Sequence, residues 1–284
     1  MNDPALWWIL AAYAFTTGAL IGSFLNVVIW RVPRGESIVS PPSHCPKCNA
    51  PIRWYQNIPI LAWLALRGKC ANCKAPISPR YILIEILGGI LFLAAFWRYG
   101  VFAPLAWVWI SLMIIGSFID FDLKLLPDFV TIGGIVYGIG VSLVFYAIVA
   151  FTPYHFHNFA FAASDYFLTP VDSILGAALG FGLLWLVRFL GSKAFKREAM
   201  GMGDVILLSA IGANSGWAAV LFTLFASSIL GSIGGVITLA IARRRPERFV
   251  EIPYGPYLCL GALAWMFYGV EIFSWYTRLL GVHG

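Results

Sequence analysis

The chain has 284 residues, a length that would suit one large soluble domain or two small ones. Its composition excludes both, because 60% of the residues are hydrophobic and only 11% are charged. Soluble domains average roughly 45–50% apolar and about 25% charged residues. Together with a mean hydropathy of +0.82, the composition predicts a membrane protein with several spans.

Apolar runs between charges and Gly or Pro breaks predict an all-α fold with about eight transmembrane helices, since each span needs about 20 residues. The runs lie near residues 6–30, 81–97, 101–119, 130–151, 171–190, 204–217, 217–242 and 253–276. Because the sixth run continues into the seventh, a count of seven stays open. The predicted divisions are a first helix, a four-cysteine loop and a helical bundle, at residues 1–30, 31–80 and 81–284.

The net charge of +6 would be compatible with nucleic-acid binding, but the distribution of the charges indicates another cause. With eight spans and the N-terminus outside, nearly all Lys and Arg residues fall on the inner side, and only Arg98 and Arg278 lie outside. This asymmetry is the positive-inside pattern of membrane proteins. The membrane topology therefore explains the basic charge, and we expect no nucleic-acid partner.

The loop 31–80 contains four of the five cysteines, in two Cys-x-x-Cys pairs. Such pairs turn four thiolates toward one point, where they can surround Zn²⁺ as a tetrahedron. Disulfides and a redox dithiol are the alternatives, although thiols on the inner side of a membrane stay reduced. We expect a structural zinc site in a zinc-ribbon-like loop, with neighbouring lysines offsetting the thiolate charge. Its ligands would be Cys45, Cys48, Cys70 and Cys73, and the lysines are Lys47, Lys69 and Lys74.

Acidic side chains are scarce, and five of them lie at or inside predicted spans: Glu85, Asp120, Asp122, Asp128 and Asp204. An ionisable side chain at membrane depth is costly and is usually functional. Asp120 ends the third span, and Asp204 opens the sixth, so both are expected at the inner face of the membrane. Asp204 follows Gly201 and Gly203, which lack side chains and would let a substrate backbone approach closely.

Asp120 and Asp204 suit two kinds of chemistry. Two carboxylates that face each other at close range share one proton. Such a pair can take a proton from water while it polarises a carbonyl, as in aspartic proteases, but it also suits a proton relay in a transporter. Asp122 and Asp128 could instead pair with Lys124 or cap the fourth span. The residues alone leave these alternatives open.

In six ordered blocks the chain resembles the type IV prepilin peptidases, which are bifunctional leader peptidases and N-methyltransferases of bacterial inner membranes. The blocks are Gly22-Ser-Phe-Leu-Asn-Val-Val-Ile-Trp-Arg-Val-Pro33, the two cysteine pairs with Ile52-Arg-Trp-Tyr-Gln-Asn-Ile-Pro59 between them, Pro79-Arg-Tyr-Ile-Leu-Ile-Glu85, Asp120 to Asp128, Gly201 to Asp204, and Ile252-Pro-Tyr-Gly-Pro-Tyr-Leu258.

The resemblance implies a GxGD-type intramembrane aspartic protease with Asp120 and Asp204 as the catalytic pair. Gly201, Gly203, Asp122 and Asp128 would be its supporting residues. The substrates would be precursors of type IV pilins and pseudopilins, cut after the Gly that ends a short basic leader. The family then methylates the new N-terminal amine, commonly that of a Phe, with S-adenosylmethionine. Glu85 is a candidate for this second reaction, and an ion pair with Arg80 or another basic loop residue is its alternative.

The resemblance also implies a location in the bacterial inner membrane, with a periplasmic N-terminus and a cytoplasmic catalytic face. The expected cofactors are Zn²⁺ and S-adenosylmethionine, and the expected partners are prepilin and pseudopilin precursors and the lipid bilayer. A proton-coupled transporter and a non-catalytic secretion-assembly factor are the alternative functions. The loop 152–170, with His155, His157 and Asp165, is either an H-x-H metal site or a solvated loop.

Overall fold

The computed structural model describes residues 4–151, 168–198, 200–242, 253–279 and 281. Within these ranges the chain is helical and forms no β-sheet, which confirms the predicted all-α class. The helices are α1 (Pro4–Arg31), α2 (Leu61–Ala65), α3 (Pro79–Tyr99), α4 (Ala103–Leu123), α5 (Asp128–Phe151), α6 (Pro170–Phe195), α7 (Met202–Ala242) and α8 (Gly255–Leu279). The chain folds as two compact units, Met1–Ile115 and Gly116–Gly284, with the boundary inside α4.

Six segments of the described chain are long and apolar enough to cross a membrane. Two of them, Pro79–Leu123 and Met202–Thr238, have 45 and 37 residues, far more than the roughly 20 residues that one crossing requires. Each of these two segments is interrupted near its middle. The interruptions favour the predicted eight spans over six, and the count of eight stays a prediction.

The first interruption is the 3₁₀ turn Gly100–Phe102 between α3 and α4. The indole N–H of Trp107 in α4 donates a hydrogen bond of 3.0 Å to the carbonyl of Phe92 in α3, 15 residues earlier. The two rings stack with centroids 5.0 Å apart. In one straight helix these residues would be separated by about 22 Å, so the chain turns back on itself at Gly100–Phe102.

The second interruption is Gly216 in α7, whose backbone angles (φ 80°, ψ 178°) are not helical. We call residues 202–215 α7a and residues 217–242 α7b. A Cβ atom on Gly212 would lie 2.9 Å from Cγ2 of Val220, although eight residues of straight helix span about 12 Å. The chain therefore turns sharply at Gly216, close to the boundary near residue 217 that the apolar runs predicted.

Small residues allow close helix packing in both units. In the first unit, α1 crosses α3 where Gly22 faces the backbone of Ile84, with 2.8 Å between a Cβ placed on Gly22 and the Ile84 carbonyl oxygen. In the second unit, α6 packs on α7a, and the Ser173 hydroxyl donates to the Ala213 carbonyl at 2.7 Å. Such packing suits helices in lipid, where apolar burial contributes little to association.

Several sequence predictions lie outside the described residues. These include the proposed loop site, with His155, His157 and Asp165, and the basic inner loop after α7. They also include Ile252, the first residue of the last sequence block. For these residues the sequence predictions stay as they are.

Candidate active site

The end of α4 places Asp120 in the interior of the second unit. Asp120 is only 5% exposed and lies in the last turn before the helix ends at Leu123. The backbone N–H of Lys124 donates to the Asp120 carbonyl at 2.8 Å, and Lys124 adopts a left-handed conformation with φ 54°. A left-handed residue just past the last turn is a common way to end a helix. The chain therefore turns at Lys124 and enters α5 at Asp128.

The Asp120 carboxylate is held by the first residue of α8. The backbone N–H of Gly255 donates to Oδ2 of Asp120 at 2.9 Å, across 135 residues of sequence. The first N–H groups of a helix lack partners within that helix and lie at the positive end of its dipole. A Cβ atom on residue 255 would lie only 2.8 Å from the same oxygen. The approach of α8 to Asp120 therefore requires glycine at this position.

Asp204 lies in the first turn of α7a, and its carboxylate is close enough to that of Asp120 for the two charges to interact. Its Oδ1 atom is buried and has no hydrogen-bond partner among the described residues. An unpaired buried carboxylate oxygen is costly unless a proton, water or ligand satisfies it. The fold thus brings together the two aspartates that the sequence predicted as a pair.

The two glycines before Asp204 differ in what surrounds them. A Cβ atom on Gly203 would lie 2.9 Å from Cβ of Leu126, so Gly203 lets the turn after Asp120 pack against the turn before Asp204. A Cβ atom on Gly201 would lie 3.6 Å from Oδ2 of Asp204, which is an ordinary contact distance, and Gly201 is exposed. Gly203 therefore brings the two turns together, while Gly201 leaves open space beside the Asp204 carboxylate.

Asp122 and Asp128 occupy different surroundings from Asp120. Both are exposed, Asp122 near the end of α4 and Asp128 at the first residue of α5. A carboxylate in the first turn of a helix interacts favourably with the helix dipole. Asp128 therefore fits the capping alternative, and supporting roles for these two residues stay predictions.

Two residues near the aspartates were not predicted from the sequence as site residues. One is Gly255. The sequence feature that could have identified it is the Pro-Tyr-Gly-Pro segment in the last block of the resemblance. The other is Cys259, one turn further along α8, which nothing in the sequence distinguishes from other core residues. Cys259 is buried, hydrogen-bonds with Ser117 and is close enough to Asp120 and Asp204 to interact with both. Only the folded structure shows that this part of α8 lies beside the aspartates.

The first unit contains a cluster of four cysteines in the loop between α1 and α3. The sulfur atoms of Cys45, Cys48, Cys70 and Cys73 all lie within 4.8 Å of one another, and none of these residues forms a disulfide. The Sγ atoms of Cys45 and Cys73 are 3.8 Å apart. Tetrahedral Zn²⁺ with Zn–S bonds of about 2.3 Å separates its sulfur ligands by about 3.8 Å. The cluster therefore fits zinc.

Two equivalent backbone turns present the four sulfur atoms. In the first turn the Cys45 N–H donates to the Ala50 carbonyl at 3.0 Å, and in the second the Cys70 N–H donates to the Ala75 carbonyl at 2.8 Å. The sequence carries a matching repeat that extends beyond the Cys-x-x-Cys spacing from which the site was predicted. Each pair continues into x-Ala-Pro-Ile, so one short motif occurs twice, as Cys45–Ile52 and Cys70–Ile77.

Hydrogen bonds in the cluster favour the thiolate form of Cys48. The backbone at Ala50 and the side chain of Asn72 lower the pKa of the Cys48 thiol to about 6. The Asn72 amide lies 3.6 Å from this sulfur. Because zinc binds thiolates rather than thiols, these contacts prepare Cys48 as a metal ligand.

Glu85 is buried in the second turn of α3. Its Oε2 atom accepts a hydrogen bond of 2.7 Å from the backbone N–H of Ile60, in the cysteine loop, and its carboxylate also bonds to Ser23 of α1. Glu85 therefore connects α1, α3 and the cysteine loop. That Glu85 takes part in methyl transfer stays a prediction.

Two protein-family models match this chain. Residues 16–99 match the model of the bacterial peptidase A24 N-terminal domain, and residues 107–236 match that of the type IV leader peptidase family. A prepilin leader peptidase/N-methyltransferase of Myxococcus xanthus is 38% identical over 252 residues, which cover 87% of this chain and 69% of the relative. The chain belongs to the type IV leader peptidase family.

Other members of this family match over almost their whole length. A Pseudomonas putida protein with the same name is 33% identical over 97% of this chain and 99% of its own. A Legionella pneumophila relative is 36% identical over 90% of both. No solved structure matched the chain. The family resemblance drawn from six sequence blocks is confirmed.

Proposed function

We propose that this membrane enzyme cleaves the leader from type IV prepilins and pseudopilins and then N-methylates the new N-terminus. The observation that carries the proposal is that Asp120, at the end of α4, and Asp204, at the start of α7a, lie close enough for their charges to interact. Both belong to the unit that contains most of the leader-peptidase match. The names of the relatives supply both activities.

In the proposed cleavage, Asp120 and Asp204 activate a water molecule between them. One carboxylate takes a proton from the water as the water oxygen attacks the carbonyl carbon of the leader Gly, and the other carboxyl donates its proton to the oxygen of that carbonyl. When the tetrahedral intermediate collapses, the C–N bond breaks and the amine leaves with a proton. The Gly255 N–H fixes the orientation of Asp120. The buried Oδ1 of Asp204 has no hydrogen-bond partner among the described residues, so a bound water or substrate would satisfy it.

The substrate class fits the location of these residues at helix ends. A prepilin carries a short basic leader followed by an apolar helix, so the helix lies in lipid while the leader remains in water. The bond between them is then at the membrane surface, where α4 ends and α7a begins. We place this surface on the cytoplasmic side of the bacterial inner membrane, with the N-terminus in the periplasm, because the basic loops predict that orientation.

Methyl transfer requires the new amine in its neutral form, since only the neutral amine is a nucleophile. S-adenosylmethionine supplies the methyl group. We assign this reaction to the first unit, which contains the A24 N-terminal match, the cysteine cluster and Glu85. Zn²⁺ bound to Cys45, Cys48, Cys70 and Cys73 would stabilise the loop, which has little apolar core of its own.

Replacing either aspartate by asparagine tests the cleavage mechanism. We expect Asp120→Asn and Asp204→Asn each to reduce the cleavage rate by at least about a thousandfold, as losses within a catalytic unit do. The measurement is mass spectrometry of a synthetic prepilin incubated with the purified protein in lipid. Asp172→Asn is the matched control, because Asp172 is a half-buried carboxylate in the first turn of α6 that is bound by the Thr169 hydroxyl.

The same assay separates the alternative functions. A proton-coupled transporter or a non-catalytic assembly factor would release no leader and add no methyl mass in any variant. Cleavage that persists in Asp120→Asn or Asp204→Asn would remove that residue from the mechanism.

A further inference from the structure

Residues 52–67 of the cysteine loop form a surface that we call the apolar tip. It consists of the 3₁₀ turn Trp54–Asn57 and the short helix α2, which pack on each other. Three of its large apolar side chains are exposed, with Trp54 81%, Leu61 65% and Leu64 55% exposed. Leu61 and Leu64 are three residues apart and therefore share one face of α2. A short segment outside the spans thus exposes three large apolar side chains.

A hydrogen bond to Glu85 fixes the position of this tip along the membrane helices. Glu85 lies six residues after Pro79, the first residue of α3, which corresponds to about 9 Å along the helix. Its carboxylate accepts the Ile60 N–H at 2.7 Å. Ile60 directly precedes α2, so the loop folds back alongside α3 to a depth within the candidate span Pro79–Leu123.

The backbone of Ile60 indicates that contacts with the rest of the first unit hold the loop alongside α3. Ile60 has φ 62° and ψ −55°, a conformation that is a genuine outlier for a β-branched residue. Such strain persists only where the surroundings hold it in place. The Glu85 carboxylate is one such restraint, since it binds the N–H of the strained residue itself.

The positive charge of the loop indicates what kind of partner covers the apolar tip. Residues 37–84 contain no Asp or Glu but six basic residues: Lys47, Arg53, Arg67, Lys69, Lys74 and Arg80. Arg53 and Arg67 bound the tip on either side. Exposed Trp and Leu between basic residues is the pattern of segments that lie in the headgroup layer of anionic membranes. A basic leader peptide would be repelled by the same charges.

We propose that the apolar tip inserts into the leaflet from which the loop emerges, with Trp54, Leu61 and Leu64 at the boundary between headgroups and acyl chains. Arg53 and Arg67 then bind anionic phospholipid headgroups, and the Glu85–Ile60 hydrogen bond sets the depth. The loop is a lipid-bound element of the first unit. This arrangement does not depend on the proposed catalytic activities.

Photocrosslinking in anionic proteoliposomes tests the insertion. A benzophenone amino acid replaces Leu64, and, in separate proteins, Leu20 of α1 or Lys47 between two of the cysteines; all three side chains are exposed. We expect lipid adducts from position 64 in a yield close to that from position 20, and few from position 47. Adducts from position 64 that join only this chain or a second copy would overturn the proposal.

Variants of Glu85 test whether its hydrogen bond to Ile60 sets the depth of the apolar tip in the membrane. Glu85→Gln keeps a carbonyl oxygen for the Ile60 N–H and should retain the lipid adducts from position 64. Glu85→Ala removes the acceptor and should lose most of them, while adducts from position 20 persist. Equal adduct yields from both variants would show that Glu85 does not hold the tip.

Discussion

The contact between Gly255 and Asp120 shows how one backbone group can orient a side chain that we propose to be catalytic. A carboxylate joined to Cβ by a rotatable bond takes several orientations, and the Gly255 N–H selects one by binding Oδ2 at 2.9 Å. Since glycine lacks Cβ, the start of α8 approaches closely enough for this bond to form. The constraint acts on the geometry of the aspartate pair, so we propose Gly255 as a positioning residue.

Gly255→Ala tests this role because it adds one methyl group to residue 255. The added Cβ would lie 2.8 Å from Oδ2 of Asp120, so the carboxylate must move. We expect kcat for leader cleavage to fall by about 10²-fold, the effect of a misplacement near 1 Å, with little change in KM. Steady-state kinetics on a synthetic prepilin provide the measurement.

Gly182→Ala is the matched control for this substitution. Gly182 belongs to α6 of the same unit, and a Cβ atom there would meet nothing within 4 Å. The control should retain full cleavage. If Gly255→Ala also cleaves at the normal rate, the Gly255 contact has no part in positioning Asp120.

The cysteine loop illustrates how a repeated element can present the ligands for a metal ion. Each of its two turns presents a pair of thiols through the same hydrogen bond between a Cys N–H and an Ala carbonyl. The two turns together supply four sulfur atoms within 4.8 Å of one another. Neither turn could hold the ion alone, since a closed structural zinc site requires four ligands.

Replacing a single cysteine tests the zinc assignment. We expect Cys48→Ser to lower zinc affinity by more than the 10–100-fold that loss of an outer-shell partner costs, because it removes a ligand. The zinc content of the purified protein, measured by elemental mass spectrometry, should fall from about one ion per chain. Cys259→Ser should leave it unchanged, since Cys259 lies in α8. A wild-type protein without zinc would contradict the assignment.

Across the whole molecule, the two compact units correspond to the two family matches. The A24 N-terminal match ends at residue 99 and the leader-peptidase match begins at residue 107, while the units meet at Ile115 and Gly116. Asp120, Asp204 and Gly255 all belong to the second unit, and the cysteine cluster and Glu85 to the first. The two proposed reactions therefore draw on different parts of the chain.

This division predicts that the two activities are separable. We expect Asp204→Asn to methylate a pre-cleaved peptide with a free N-terminal Phe at close to the normal rate, although it cleaves no prepilin. Mass spectrometry of the peptide after incubation with S-adenosylmethionine measures the methyl transfer. Loss of both activities in a protein that remains folded would indicate that the aspartates serve both reactions.

The sequence by itself determined the membrane class and identified the four cysteines and the two aspartates as candidate site residues. Low charge and long apolar runs suffice for the first, because only helices with few charges are stable in lipid. The repeated Cys-x-x-Cys spacing suffices for the second, because its geometry is local. Asp120 and Asp204 were recognisable as rare acids at the ends of apolar runs.

Only the tertiary structure decided which distant groups meet these residues. The Gly255 N–H reaches Asp120 across 135 residues, and the Ile60 N–H reaches Glu85 from a separate loop. Backbone donors leave no trace in residue type, so composition and spacing cannot identify them. The proximity of Cys259 to the aspartates likewise depends on how α8 packs, which is a property of the folded bundle.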